Sequence, residues 1–356
     1  MDNLTHSLVG YTLARAGLGR TIPGAAATLV LASNVPDIDI VAAFAGGRVA
    51  YLAAHRGVTH GFVTSLALAV LVTVVVLTGL AWWTRRRDEP LVNPRRVILG
   101  TYGLAVFGAL LHITMDLPTS YGTRVLAPFA GTWYALDWMP IIDVYLWALL
   151  LAGLLWSRLR PADVRRSALV VLLLAGVDYG IRAGLHQFAL ADAAQATADG
   201  TVSPCAARPT LVRHPSVIEA AVAGPDSCIR AAALPTFLSP LTWRVIRQYP
   251  GGYELSEREL FSRERTDRVV WIPSDSGPLI ARARATTAGR VFLDFARFPA
   301  ARIVQTSPDE VVVRIADVRF VGTPIGWDPD ARPRGFFVLN VVLDRDGSVL
   351  AERLGD

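Results

Sequence analysis

Lysine is absent from all 356 residues, so each of the 35 basic side chains other than histidine is arginine. Skewed codon usage accounts for that, and no function follows from it. Cysteine is nearly absent too: Cys205 and Cys228 are the only two, both beyond the last apolar run. Their scarcity leaves no soft sulfur set for a metal. For the pair itself two states stay open, a disulfide made in an oxidising compartment or two free buried thiols. Charge is scarce as well, at 18% of residues against 52% hydrophobic, which argues against an ordinary soluble domain. The N-terminal MDNLTHSLVG lacks a basic n-region and a cleavage site, which argues against a removable signal peptide. There is no internal repeat and no low-complexity tract. A formal net charge of +5 invites a nucleic-acid partner, but the arginines of the first half sit in loops between apolar segments, where topology explains them. No nucleic acid is expected.

What the chain does have is long apolar runs. Residues 61–83, 97–115 and 138–156 are each close to the ~20 residues that cross a hydrocarbon core. A fourth run, 168–190, is interrupted by Asp178, Arg182 and His186, so its outer end is expected to face protein or water. Two shorter runs, 4–18 and 22–35, fit helices packed inside a bundle, giving about six spans. Arginine clusters mark cytoplasmic loops. Arg85, Arg86, Arg87, Arg95 and Arg96 follow one run, and Arg158, Arg160, Arg165 and Arg166 another; Arg15 and Arg20 place the first turn on the same side.

Residues 193–204 are small and polar and read as a linker. Beyond it TWRVIRQY, RVVWIP, EVVVRIADVRF and GFFVLNVVLD mix β-branched and aromatic residues, separated by turn signals at Pro250-Gly251-Gly252 and Asp346-Gly347. Residues 278–288 read as one helix. The expected architecture is an α-helical multi-span membrane bundle over 1–192, followed by a smaller β-rich extracytoplasmic domain over 205–356.

Four of the six histidines, His6, His55, His60 and His112, stand in short polar clusters with Asp37, Asp39 and Asp116. The arginine-derived topology puts all seven on the outer side. His112 and Asp116, four apart, share one helix face and can grip one ion; a simple hydrogen bond between them is the alternative. Asp37 and Asp39, after Pro36, face one way if the segment is extended, and a dication would relieve their repulsion. Helix capping by Asp37 is the bland alternative. In HRGVTH, Gly57 permits a turn that brings His55 and His60 together, while the fork of Arg56 suits a phosphate or carboxylate. Asp137 and Asp143 are candidates for orienting imidazoles, or else interfacial aspartates beside tryptophans. A nitrogen and oxygen donor set suits zinc first, then manganese or iron, with one to three ions open. Metal-activated water would be the nucleophile, with Asp37 or Asp39 accepting its proton.

In order, THSLVG, SNVPDIDI, HRGVTHGF, LLHITMDLPTSYGTRVLAPF and LDWMPIID resemble the YdjM/YbcI family of membrane-bound metal-dependent hydrolases, itself distantly similar to zinc-dependent phospholipase C and the P1-type nucleases. LPTFLSPLTWRVI and VRIADVRF extend the likeness into the C-terminal portion. The resemblance implies His6, Asp37, His55, His60, His112 and Asp116 as ligands, Asp39 beside them, and hydrolysis of a phosphoester in a membrane lipid or envelope substrate. Two other classes stay open. A transporter would carry polar residues on across its spans, whereas the run 61–83 has only threonines and Ser65. A sensor or assembly protein would hold a closed, structural metal.

Overall fold

The computed structural model describes residues 1–88, 93–194, 207–209, 218–220, 228–262, 269–305, 307, 309–321 and 335–355. Its N-terminal half is helical: α1 (Asn3–Arg15), α2 (Ala25–Ala32), α3 (Val41–Ala54), α4 (Phe62–Arg87), α5 (Pro94–Asp116), α6 (Val144–Leu159) and α7 (Val164–Ala194). Short polar residues start several of them. Asp2 accepts the Thr5 N–H at 3.0 Å ahead of α1. Asn93 caps α5, with Pro94 in the first turn. Asp143 accepts the N–H groups of Tyr145 and Leu146 at the head of α6. Each satisfies donors that a helix start leaves open.

Three helical stretches are long and apolar enough to cross a membrane: α4, α5 and Pro161–Ala194, which contains α7. A fourth arises if α2 and Val35–Ala54 form one broken span. The run of 16 residues in α6 and of 13 in α1 rises only about 24 and 20 Å, short of a ~30 Å hydrocarbon core.

The chain divides into two units, Met1–Asp39 with His55–Gly184, and Ile40–Ala54 with Leu185–Asp356. In the first unit, α2 packs against α1, α4 and α5, and α1 also packs against α6. Arginines gather at one end of these helices. Arg15 reaches Ser157 near the end of α6, and Arg165 reaches the carbonyl of Ala16. The polar interruption expected in the last run is internally paired: Arg182 is 1% exposed and contacts Asp143 at 2.5 Å and Asp178 at 3.4 Å.

The second unit is β-rich. Strands β1 (Ala207–Pro209), β2 (Ile218–Ala220), β3 (Arg230–Pro235), β4 (Thr242–Tyr249), β5 (Gly252–Glu259) and β6 (Val270–Pro273) form an antiparallel sheet in that order. Two helices follow, α8 (Pro278–Ala285) and α9 (Thr287–Phe295). Then β7 (Pro299–Gln305), β8 (Glu310–Asp317), β9 (Val338–Asp344) and β10 (Val349–Leu354) make a four-stranded antiparallel sheet. The Pro250-Gly251 signal turns β4 into β5, and Asp346-Gly347 lies between β9 and β10. The single helix expected at 278–288 is two. Thr286 leaves the helical region at ψ 166°, and its hydroxyl accepts the Gly289 N–H to begin α9.

Ile246, Leu255, Ile272 and Phe298 fill the core beneath the first sheet. α3 packs on α9 in this unit. Buried Arg247 ties the end of α7 to the sheet: it donates to the Ala193 carbonyl at 2.8 Å and pairs with Glu254 at 2.5 Å. The linker expected at 193–204 falls outside the described residues except for its first two, which end α7. Cys205 also lies outside them; Cys228 is buried and is not a free thiol.

Candidate metal centre

Four segments of the first unit meet in one cluster, and two glycines help to set their approach. Gly10 lies one turn beyond His6 on α1, and Gly108 one turn before His112 on α5. A Cβ on Gly10 would stand 2.9 Å from the Leu29 carbonyl oxygen, and one on Gly108 would stand 2.7 Å from the Ala32 Cβ. Only glycine allows both helices so near the end of α2. As a result the His6 and His112 rings stack with centroids 3.9 Å apart.

Asp37 and Asp39 reach the cluster from a 3-10 helix, Val35–Ile40, and not from an extended segment. The Asp37 N–H bonds to the Asn34 carbonyl at 3.1 Å, so the chain coils as it passes Pro36. At about three residues per turn, side chains two apart diverge. Accordingly Asp37 lies 3.4 Å from His60 Nε2, while Asp39 turns to His55 at 3.0 Å. In the HRGVTH segment the left-handed residue is Arg56, with φ 53°, and not Gly57. That strained backbone is held on both sides. The Arg56 N–H donates to Asp39 Oδ2 at 3.0 Å, and its guanidinium donates to Asp116 at 2.9 Å and Thr119 at 2.8 Å. The Arg56 fork therefore grips a carboxylate of the cluster.

Three overlapping donor groups result: His6, His112 and Asp116; Asp37, His60 and His112; and Asp37, Asp39 and His55. Within each, one donor atom per residue lies within 4.8 Å of the others. His112 belongs to the first two groups and Asp37 to the last two. All seven histidines and aspartates singled out from the sequence stand in this chain of groups, and Arg56 borders it.

The hydrogen bonds fix which ring nitrogens face inward. A carbonyl only accepts, so the 2.7 Å contact from His112 Nδ1 to the Ser33 oxygen places a proton on Nδ1 and a lone pair on Nε2. Thr59 donates its hydroxyl to Asp39 at 3.1 Å, so it accepts from His60 Nδ1, also at 3.1 Å. His60 Nε2 then carries a lone pair as well. These two Nε2 atoms face each other at 3.1 Å, with Asp116 Oδ2 at 3.2 Å from His112 and 3.4 Å from His60. Two lone pairs and a carboxylate oxygen so close repel unless a cation stands among them. Asp116 Oδ2 is buried without a hydrogen bond, and so are both nitrogens of His6. Buried polar atoms without partners are costly, and a shared cation would satisfy Asp116 Oδ2 and one nitrogen of His6.

Outside the membrane-crossing helices the proton affinities tell the same story. Burial opposes charge on His60, but Asp116 and Asp37 outweigh it and raise its pKa, so a proton can stand in for the cation. Burial lowers the pKa of His55 despite Asp39, leaving a neutral imidazole able to ligate. The nitrogen and carboxylate donors suit a divalent ion of the zinc, manganese or iron type.

Several contributors carry no sequence signal of their own: the Ser33 carbonyl, Thr59, Thr119, and the Met1 amino group, which contacts Asp116 Oδ1. The orienting role expected of Asp143 is not what the structure shows. One of its oxygens caps α6 and the other contacts Arg182.

Comparison with known proteins adds one relative and one family. The uncharacterized protein YfhP of Bacillus subtilis (strain 168) is 27% identical over 162 residues, which are 43% of this chain and 45% of that protein. The chain thus aligns with less than half of that relative. No solved structure matches. The model of the YdjM inner membrane protein family matches residues 1–185, a stretch that contains every residue of the cluster. The chain belongs to the YdjM inner membrane protein family.

Proposed function

We propose that this protein is a membrane-bound metal-dependent hydrolase that cleaves a phosphoester of a lipid or envelope substrate. The observation that carries this is the facing pair of Nε2 lone pairs, on His60 and His112, beside the unbonded Asp116 Oδ2. His6, Asp37, His55, His60, His112 and Asp116 would hold the metal, zinc first, in one to three ions. A bound divalent ion supplies Lewis-acid polarisation of the phosphoryl group and acidifies a water.

The residues divide the remaining tasks by exposure. Asp37 and His55 have side chains 15% and 14% exposed, whereas His6, His60, His112, Asp39 and Asp116 are at 2% or less. Substrate therefore approaches from the Asp37 and His55 side. Asp37 is the proton acceptor for the attacking water, since its carboxylate is the open one. Asp39 is committed to His55, Arg56 and Thr59 and positions them. Arg56 holds Asp116 Oδ1, leaving Oδ2 for the ion. In this topology the cluster and the β-rich unit lie on the extracytoplasmic side, following the arginine distribution, with the cluster held by a bundle of about six helices.

A transport reading finds less support. Buried Thr12, Thr28, Thr73 and Ser65 each donate to a carbonyl of their own helix or helix start, so these four hydroxyls are already paired locally. The test is turnover by purified protein, assayed with zinc or manganese on bis-p-nitrophenyl phosphate, p-nitrophenyl phosphate and phosphatidylglycerol. Metal-dependent hydrolysis that disappears in Asp37→Asn supports the assignment. Bound metal with no turnover of any ester would overturn it in favour of a sensor or transport role.

A further inference from the structure

A cleft of about 430 Å³ lies between α1 and α6, lined by Tyr11, Arg15, Leu154, Leu155, Ser157 and Arg158. It stands at the arginine-bearing end of α1, the end opposite His6. Leu154 and Leu155 lie about one turn before Ser157 and Arg158 on α6, and Tyr11 one turn before Arg15 on α1, so apolar and basic lining follow each other along the groove.

The charge there is of one sign. No acidic residue occurs between Asp2 and Asp37 or between Asp143 and Asp163, so neither helix brings a carboxylate to the cleft. Arg15 is held in place while keeping donors to spare. One N–H donates to Ser157 at 3.3 Å, whose own proton goes to the Leu154 carbonyl at 2.8 Å. The guanidinium lies 5.9 Å from the centre of the Tyr11 ring. Its Nε is buried and has no hydrogen-bond partner among the described residues. Arg158 stands exposed at the last turn of α6. Two guanidiniums with no carboxylate paired to them among the described residues, set beside leucines in the groove between α1 and α6, match a phosphate headgroup above an acyl chain.

We propose that this cleft binds an anionic phospholipid, its phosphodiester held by Arg15 and Arg158 and its acyl chain laid along Leu154 and Leu155. Arginine pairs a phosphate oxygen through a planar fork, so the pair distinguishes an anionic headgroup from a zwitterionic one carrying its own cation. The site is separate from the metal centre and does not depend on hydrolysis.

The experiment is native mass spectrometry of the full chain released from mixed micelles containing equal phosphatidylglycerol and phosphatidylcholine. Wild type is expected to retain phosphatidylglycerol preferentially. Arg15→Gln with Arg158→Gln should weaken that retention roughly 30-fold, from about fivefold per arginine near a lipid surface, and leave phosphatidylcholine retention unchanged. The double lysine variant, which keeps the charge, should recover part of the preference and so separates lipid binding from misfolding. Arg86→Gln with Arg87→Gln removes the same charge outside the cleft. Equal retention of both lipids by wild type would overturn the proposal. So would an equal loss in the Arg86 and Arg87 variant, which would mean a diffuse basic surface.

Discussion

Replacing His112 by alanine should damage metal binding more than replacing either His6 or His55, because His112 serves two of the three donor groups and the others serve one. The size follows from the ligand count. A four-ligand zinc site is worth about 10–16 kcal/mol, so one ligand carries roughly 2.5–4 kcal/mol, or about two to three powers of ten in affinity. His6→Ala and His55→Ala should each lose that much at one group only, keeping the remaining stoichiometry. His112→Ala should lose it at two groups and lower the number of bound ions. The assay is zinc titration by calorimetry with elemental analysis, on protein stripped with chelator in detergent. Stripping should also lower the thermal midpoint of wild type, since an ion at 100 times its dissociation constant adds about 2.7 kcal/mol. A His112→Ala protein that binds as many ions as wild type, within threefold in affinity, would falsify the shared-ligand geometry.

Asp39→Asn weakens the bonds that orient His55, the Arg56 backbone and Thr59, and should cost about 10–100-fold in metal affinity without removing an ion outright, as seen by the same titration. Gly108→Leu drives a side chain into Ala32, and should destabilise the helical unit by about 1–3 kcal/mol in thermal melts while also lowering metal content. Against the opposing effect of burial, Asp116 and Asp37 raise the pKa of His60, so metal-free protein binds a proton there more tightly than an ordinary imidazole does. Zinc binding at pH 6 should therefore release protons, and affinity should fall as pH drops; calorimetry in buffers of different ionisation enthalpy reads this, and zero proton release at pH 6 would contradict it.

The parts of this site legible in the sequence are those set by local spacing. His112 and Asp116 share a helix face because four residues nearly complete a turn, and the structure puts their Nε2 and Oδ2 3.2 Å apart. The apolar runs announced α4, α5 and α7, since hydropathy over some twenty residues needs no tertiary information. What local pattern could not give was anything decided by a distant partner. Ser33 contributes a carbonyl, which every residue has, and only the approach of α5 makes it select a His112 tautomer. Gly10 and Gly108 look like ordinary small residues until their helices meet α2. Pro36 suggested an extended Asp-Ile-Asp, but proline's fixed φ suits a 3-10 turn equally well, and the turn prevailed. The helix at 278–288 divided because Thr286 offers its hydroxyl as a cap, a competition that apolar periodicity does not register.

X-ray absorption at the metal edge of protein purified from membranes tests the central claim most directly. A divalent ion held only by nitrogen and oxygen, with imidazole scattering and bonds near about 2.0–2.1 Å, is the expected spectrum, and it should collapse in His60→Ala with His112→Ala. Sulfur among the nearest atoms, or an unchanged spectrum in that double variant, would show that any metal sits elsewhere and that the cluster is not its site.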